Sequence, residues 1–325
     1  MLHLSVPSQD TQHVLQRLKA ESALPEGARV CMDPSDSNRR LIPFTESISQ
    51  ETAAQYPVLE IETDSPPARN YRDHLTEFLP TNIIKSTDWP TRHEFVGDLI
   101  LMKLDENQRE FGDSIGKALL RQHARTRAVF EDRGVTGIFR VRDLKLLAVR
   151  EGHEETTRTR IVEGGHHLWT DPSTVYYSSR LSHEREGTLN CAMNLRQELG
   201  RPLSICDPYA GVGPSLRPLI AEPELVGELF AGDLNPAAAE FLRENIIHPT
   251  ATIECIDALA LENRLEMCEN YDLLLINIPH DSLQHLPNIL PLLRPNGIAR
   301  GWAIIEDSDF ESSMVQLHSM FGEEV

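Results

Sequence analysis

A chain of 325 residues with 40% hydrophobic side chains is long enough for two or three separate cores and too apolar to remain disordered. No apolar run approaches the roughly 20 residues of a membrane span, and the N-terminus lacks the basic-then-apolar pattern of a signal peptide. With 31 basic against 50 acidic side chains the net charge is −19, which at first sight counts against a nucleic-acid enzyme and suits a protein kept soluble in a salty cytoplasm, where long-range attraction to phosphate is screened.

The first segment alternates an extended Leu2–Val6, a helix over 11–21 opened by Ser8 and Asp10, and extended pieces at 29–32 and 39–43, a small α+β domain over residues 1–62. Asp64-Ser-Pro-Pro-Ala-Arg69 follows as a linker, because consecutive prolines block both helix and sheet. A second α+β domain is expected over 71–160, with strands at 99–103, 128–130, 138–142 and 146–149 and a helix over 110–122. Between Arg121 and Arg150 eight basic residues face three acidic ones. This cluster, Arg125 and Arg127 foremost, is the expected RNA-facing patch; a solvated helix and hairpin face remains the alternative.

From residue 162 onward strand and helix alternate, as in a parallel α/β sheet. Strands are predicted at 203–207, 225–233, 252–256, 271–276 and 297–305, and helices at 184–198, 214–220, 236–247, 281–292 and 310–320. The run Leu203-Ser-Ile-Cys-Asp-Pro-Tyr-Ala-Gly-Val-Gly-Pro214 is a strand entering a glycine turn, where Gly211 and Gly213 let the backbone approach a ligand closely. Asp233, at the end of the next strand, suits a ribose diol, and Asp257, after the third, an adenine amino group. A dinucleotide fits poorly, since the loop lacks a third glycine and Asp207 would repel phosphate and attract an ammonium group. An amino acid end, a ribose and an adenine without phosphate describe S-adenosylmethionine. The cysteines, Cys31, Cys191, Cys206, Cys255 and Cys268, contain no Cys-x-x-Cys pair, so reduced thiols and no metal site are expected, with His166, His167 and His183 at the surface.

In this order and spacing, Val96-Gly-Asp-Leu-Ile, Phe139-Arg-Val-Arg-Asp-Leu, Val175-Tyr-Tyr-Ser-Ser-Arg-Leu-Ser-His-Glu-Arg185, Asp207-Pro-Tyr-Ala-Gly-Val-Gly-Pro, Asp233-Leu-Asn-Pro and Asn277-Ile-Pro resemble the archaeal and eukaryotic tRNA (guanine(37)-N1)-methyltransferases and the related wybutosine-pathway enzymes. The resemblance implies a Rossmann-like class I methyltransferase domain over 162–325, preceded by two smaller α+β domains, acting on tRNA as a monomer. It implies Glu184 as the base for the guanine N1 proton, Arg140 as the cation beside O6, and Asn277 on the guanine edge, with Pro279 and Tyr176 shaping the base pocket. Arg185, Ala210, Leu234, Ala258 and Asn277 join Asp207, Gly211, Gly213, Asp233 and Asp257 around the cofactor. Asn277-Ile-Pro-His280 departs from the (D/N)PP(Y/F/W) motif of amino-group methyltransferases and so speaks against an exocyclic amine target. Two other functions stay open: aminocarboxypropyl transfer to a wybutosine precursor, and a non-catalytic tRNA-binding paralogue. The latter draws on the chain stopping at Gly322-Glu-Glu-Val325, where the family continues with two more strands.

Overall fold

The computed structural model describes residues 2–25, 28, 30–60 and 70–321, and the chain divides into two compact units, Met1–Asp73 and His74–Val325. The expected linker at 64–69 and the terminal residues 322–325 lie outside the described residues. In the first unit β1 (Leu2–Pro7) pairs antiparallel with β3 (Asp36–Pro43) and β4 (Val58–Glu60), and β2 (Cys31–Asp33) pairs with β3. Helix α1 (Thr11–Ala20) places Val14 and Leu18 against Leu4, Val6 and Ile42, and the short α2 (Gln50–Ala54) is capped by Ser49.

The short helices α3 (Tyr71–His74) and α4 (Thr81–Ser86) lead to a four-stranded sheet ordered β5-β6-β7-β8. Its strands are β5 (Glu94–Val96), β6 (Leu99–Met102), β7 (Ala128–Thr136) and β8 (Val141–Val149), with α5 (Gly112–Gln122) crossing between the parallel β6 and β7. A strand over 138–142 is not found: residues 137–140 turn between β7 and β8, and Arg140 sits there with φ +52°. The hairpin of β9 (Thr159–Glu163) and β10 (His166–Thr170), unforeseen in the sequence, closes this sheet's core by packing Ile161 and Leu168 onto Val96, Leu101 and Phe130. The expected boundary at 160–162 therefore falls inside β9.

Beyond α6 (Ser182–Leu199), ended by left-handed Gly200, come β11 (Leu203–Asp207), α7 (Leu216–Ala221), β12 (Val226–Asp233), α8 (Pro236–Asn245) and β13 (Ala251–Cys255). The chain continues through β14 (Tyr271–Ile276), α9 (Ser282–Ile289), β15 (Leu293–Gly301) and α10 (Phe310–Phe321). All pairings in this sheet are parallel, in the order β13-β12-β11-β14-β15. Parallel strands covered on both faces read as unbroken apolar runs, and β14 is buried at all six residues. Alternate side chains serve the two faces: Ile205, Leu273 and Leu275 enter one core, Cys206, Leu274 and Ile276 the other. The edge strand β15 begins four residues earlier than expected and ends at Gly301, where a Cβ would overlap the Ile276 carbonyl.

Candidate active site

In an open α/β sheet a ligand binds outside the carboxyl ends of the strands, where the strand order reverses. Here that point lies between β11 and β14, so Asp207 and Asn277 flank it. Asp207 is fully buried; its Oδ1 accepts from Tyr209 N at 3.2 Å, while Oδ2 has no partner. Burial raises its pKa to about 8, with the nearby Asp233 adding to the shift. Such an orphaned acceptor is costly unless a donor arrives, and a ligand ammonium group is the donor that suits it.

The two loop glycines differ in role. At Gly211 (φ +56°) a Cβ would enter open space. At Gly213 (φ +88°) it would strike Ile246 and Leu242, so this glycine also serves packing against α8. The buried Ala210 anchors the loop through its N–H to Gly232 O at 2.9 Å.

Asp233 accepts Gly211 N at 2.9 Å through Oδ2 and Asn235 N at 2.8 Å through Oδ1, tying β12 to the glycine loop. Each oxygen keeps a second lone pair for a ribose hydroxyl. Desolvation raises its pKa. Leu234 exposes 52% of its surface beside it, an apolar shelf for a flat ring. Asp257 caps the turn after β13 through Leu259 N, ahead of buried Ala258, and its Oδ2 accepts nothing among the described residues. Asn277 donates from Nδ2 to Ser215 Oγ at 3.2 Å, which fixes the amide and leaves Oδ1 as a free acceptor. The Pro279 carbonyl is held by Ile304 N at 2.7 Å.

Glu184 stands in the first turn of α6 with its carboxylate half-exposed. Behind it lies Arg300 of β15, a residue the sequence did not single out, whose Nε donates to Thr188 Oγ1 at 3.0 Å. A Cβ at Gly187 would collide with that guanidinium, so the glycine makes room for it. Arg185 is not free to touch a cofactor: it is buried, paired bidentate with Glu163, and donates to Ser178 O at 2.9 Å. Glu163 also accepts from Tyr177 Oη at 2.5 Å, so Arg185 fixes the chain leading into α6. Tyr176 is 53% exposed in that same stretch.

The basic patch is largely spent on structure. Arg127 bonds Asp98 at 2.9 Å and the carbonyls of Glu154, Thr156 and Arg158, and its side chain is only 11% exposed, so it is corrected from RNA contact to scaffold. Arg142 pairs with Glu94 and Asp132, and Arg150 caps carbonyls of Leu120, His123 and Thr126. Arg125 and Arg140 remain exposed and without an ion pair among the described residues.

The family described as TRM5/TYW2 methyltransferase domain matches residues 159–321, and that described as TYW2 N-terminal domain matches residues 71–154. A relative from Entamoeba histolytica named tRNA (guanine(37)-N(1))-methyltransferase is 29% identical over 270 residues, 79% of this chain and 65% of its own, so the chain spans just under two thirds of that relative. The Pyrococcus abyssi protein named tRNA (guanine(37)-N(1))-methyltransferase Trm5b is 25% identical over 315 residues, 95% of this chain and 86% of its own. The solved complex of aTrm5 and tRNALeu shares the fold with a TM-score of 0.65 at 21% identity, over 98% of this chain and 91% of that one.

Proposed function

The chain belongs to the TRM5/TYW2 methyltransferase domain family, and on that premise we propose that it methylates N1 of guanosine 37 in tRNA with S-adenosylmethionine. The observation that carries this reading is the orphaned, buried Oδ2 of Asp207 at the switch point, with Asp233 and Asp257 at the next two strand ends. Together they would hold the ammonium group, the ribose and the adenine of one cofactor. When bound, that cofactor supplies an electrophilic methyl group on a sulfonium centre.

The chain's own residues do the rest. Asn277 Oδ1 is an acceptor aimed by the Ser215 bond, as the donor edge of guanine requires. Glu184 takes the N1 proton, and Arg140 balances the charge that this leaves on O6. With the cofactor bound, its methyl carbon would pass from sulfur to guanine N1, leaving S-adenosylhomocysteine as the by-product. Holding the base and the methyl donor in line supplies much of the acceleration. The relatives' names support guanosine 37 as the target. Action in the cytoplasm as a monomer belongs to the same proposal, in keeping with free cysteines and with no described helix long and apolar enough to cross a membrane.

A second reading, aminocarboxypropyl transfer to a wybutosine precursor, draws on the TYW2 name of the family matched at 71–154. Mass spectrometry of two tRNAs incubated with protein and cofactor, a guanosine-37 transcript and one carrying the wybutosine precursor, separates the two. A methylated guanosine with S-adenosylhomocysteine as by-product supports the first, and methylthioadenosine favours the second. Both RNAs unchanged, with neither by-product, would remove both readings and leave the non-catalytic paralogue.

A further inference from the structure

An open pocket of about 450 Å³, with no residue of the cofactor loop in its lining, lies between β5, the loop after α5, β9 and the approach to α6. Its rigid floor is the β5–β6 turn: Gly97 has φ +59°, and a Cβ there would overlap Thr159 and the Arg160 carbonyl. Phe95, on the edge strand β5, exposes 51% of its surface into the pocket, and Val162 on β9 exposes 63%. His93 and His123 pack around the Phe95 ring in edge-to-face geometry, with centroids 5.1 Å away in both cases. Two cations, Arg125 and Arg160, share the lining with this apolar pair. Arg125 has no ion pair or hydrogen bond among the described residues, and Arg160 has only the Trp169 ring at 5.8 Å. The single carboxylate in the lining, Asp98, is already consumed by Arg127 and by Thr159 Oγ1 at 2.7 Å.

We propose that this pocket binds an unstacked nucleotide of the RNA substrate, its base on Phe95 and its phosphates between Arg125 and Arg160, next in the strand to the nucleotide that is methylated. The proposal rests on the tRNA reading above. An exposed aromatic ring flanked by unpaired arginines is how proteins hold single-stranded nucleic acid, and it stands out in a chain of net charge −19. The pocket is not the methylation site itself, since the one carboxylate in its lining, Asp98, is engaged by Arg127 and Thr159, whereas the proposed base is Glu184. A flanking nucleotide follows from Ser179 on its rim, which opens the short turn running straight into α6 and Glu184.

The test is filter binding of a tRNA transcript to the full chain at several salt concentrations, with cofactor affinity by calorimetry as the check on folding. Phe95→Ala is expected to weaken tRNA binding about 10-fold and Phe95→Tyr to restore it, as loss and return of one stacked base would. The double variant Arg125→Ala/Arg160→Ala is expected to flatten the slope of log affinity against log salt by one to two. Both substitutions of the double variant are at exposed side chains, so it remains informative if Phe95→Ala folds poorly. Wild-type affinity and salt slope in every variant would overturn the pocket while leaving a methylating wild type untouched. A wild-type chain that binds no tRNA would remove the pocket and the function together.

Discussion

Arg300 on β15 grips Glu184 on α6: its Nη2 lies 3.4 Å from the Glu184 main-chain oxygen and 3.9 Å from Oε2 of the carboxylate. The same guanidinium holds Thr188, one turn further along, so the start of α6 is pinned to the sheet edge at two levels. Arg300 is thus a positioning residue for the proposed base. Arg300→Ala is expected to lower the single-turnover methylation rate about 10-fold with cofactor and tRNA affinity nearly unchanged, because small misplacement of a reacting group is felt in the rate. Arg300→Lys should recover part of the loss. A wild-type rate in Arg300→Ala would mean that α6 places Glu184 unaided.

Asp207 contributes a pH dependence opposite to that of a salt-bridged acid such as Asp272. Its pKa is raised by burial to about 8 in the folded chain, against about 3.9 for an unfolded aspartate. Between those values the native state holds a proton that the unfolded state has released. Its contribution to stability therefore falls as pH rises from about 4 to about 8 and levels off above. Asp207→Asn is expected to raise the melting temperature of the ligand-free protein at pH 8 relative to wild type. If the ionised carboxylate receives the ligand ammonium, wild-type cofactor affinity should climb up to about 10-fold per pH unit toward pH 8. Calorimetry at pH 6, 7 and 8 measures this, and Asp207→Asn should bind weakly and without that slope. A flat wild-type profile would separate Asp207 from the cofactor.

Asp233 does two jobs, and its variants should show both. Asp233→Ala removes the acceptor for Gly211 N and Asn235 N as well as the sites offered to a ribose. Each hydrogen bond to a charged acceptor is worth about 1.5–3 kcal/mol, so cofactor affinity should drop by 100-fold or more and the melting temperature should fall with it. Unchanged affinity would remove the ribose assignment even if stability suffered.

How much of this was legible in the sequence depends on what each residue faces. Strands β11 and β14 were bounded to the residue, since strands buried on both faces leave an unbroken apolar run between polar ends. Strand β15 was misplaced because Arg294-Pro-Asn-Gly297 looks like a turn; it is an irregular edge, with Asn296 at φ +66° and a register shift opposite Tyr271 and Leu273. The β9–β10 hairpin was missed although Gly164-Gly165, both at positive φ, is a strong hairpin signal. The roles of Arg127 and Arg185 could not be read, because their partners Asp98 and Glu163 lie 29 and 22 residues away and only the fold brings them together.

Gly211 and Gly213 offer a direct comparison within one turn. Both hold positive φ, so alanine strains the backbone at either. At Gly213 the new methyl also meets Ile246 and Leu242, and Gly213→Ala should destabilise the fold by about 1–3 kcal/mol, as overpacking does. At Gly211 the methyl points into open space, and Gly211→Ala should keep more of the stability while losing cofactor affinity. Thermal melts and calorimetry on both variants decide it; the reverse pattern would exchange the two roles.

The sharpest expectation concerns Glu184 and Arg140 as a pair acting on one guanine. They come from different parts of the second unit, Glu184 from the first turn of α6 and Arg140 from the exposed turn between β7 and β8. In the proposed chemistry one takes the N1 proton and the other balances the charge left on O6, so both act in the transition state more than in binding. Glu184→Gln should bind tRNA and cofactor nearly as wild type yet lose roughly 10²–10⁴-fold in single-turnover rate. Arg140→Ala should lose a comparable factor. The double variant should lose less than the product of the two, because both residues serve the same proton removal. A fully multiplicative loss would make Arg140 an independent RNA contact. A wild-type rate in Glu184→Gln would leave the carboxylate as an ordinary helix-start acid, favoured there by the helix dipole, with the proton leaving to water or to the RNA.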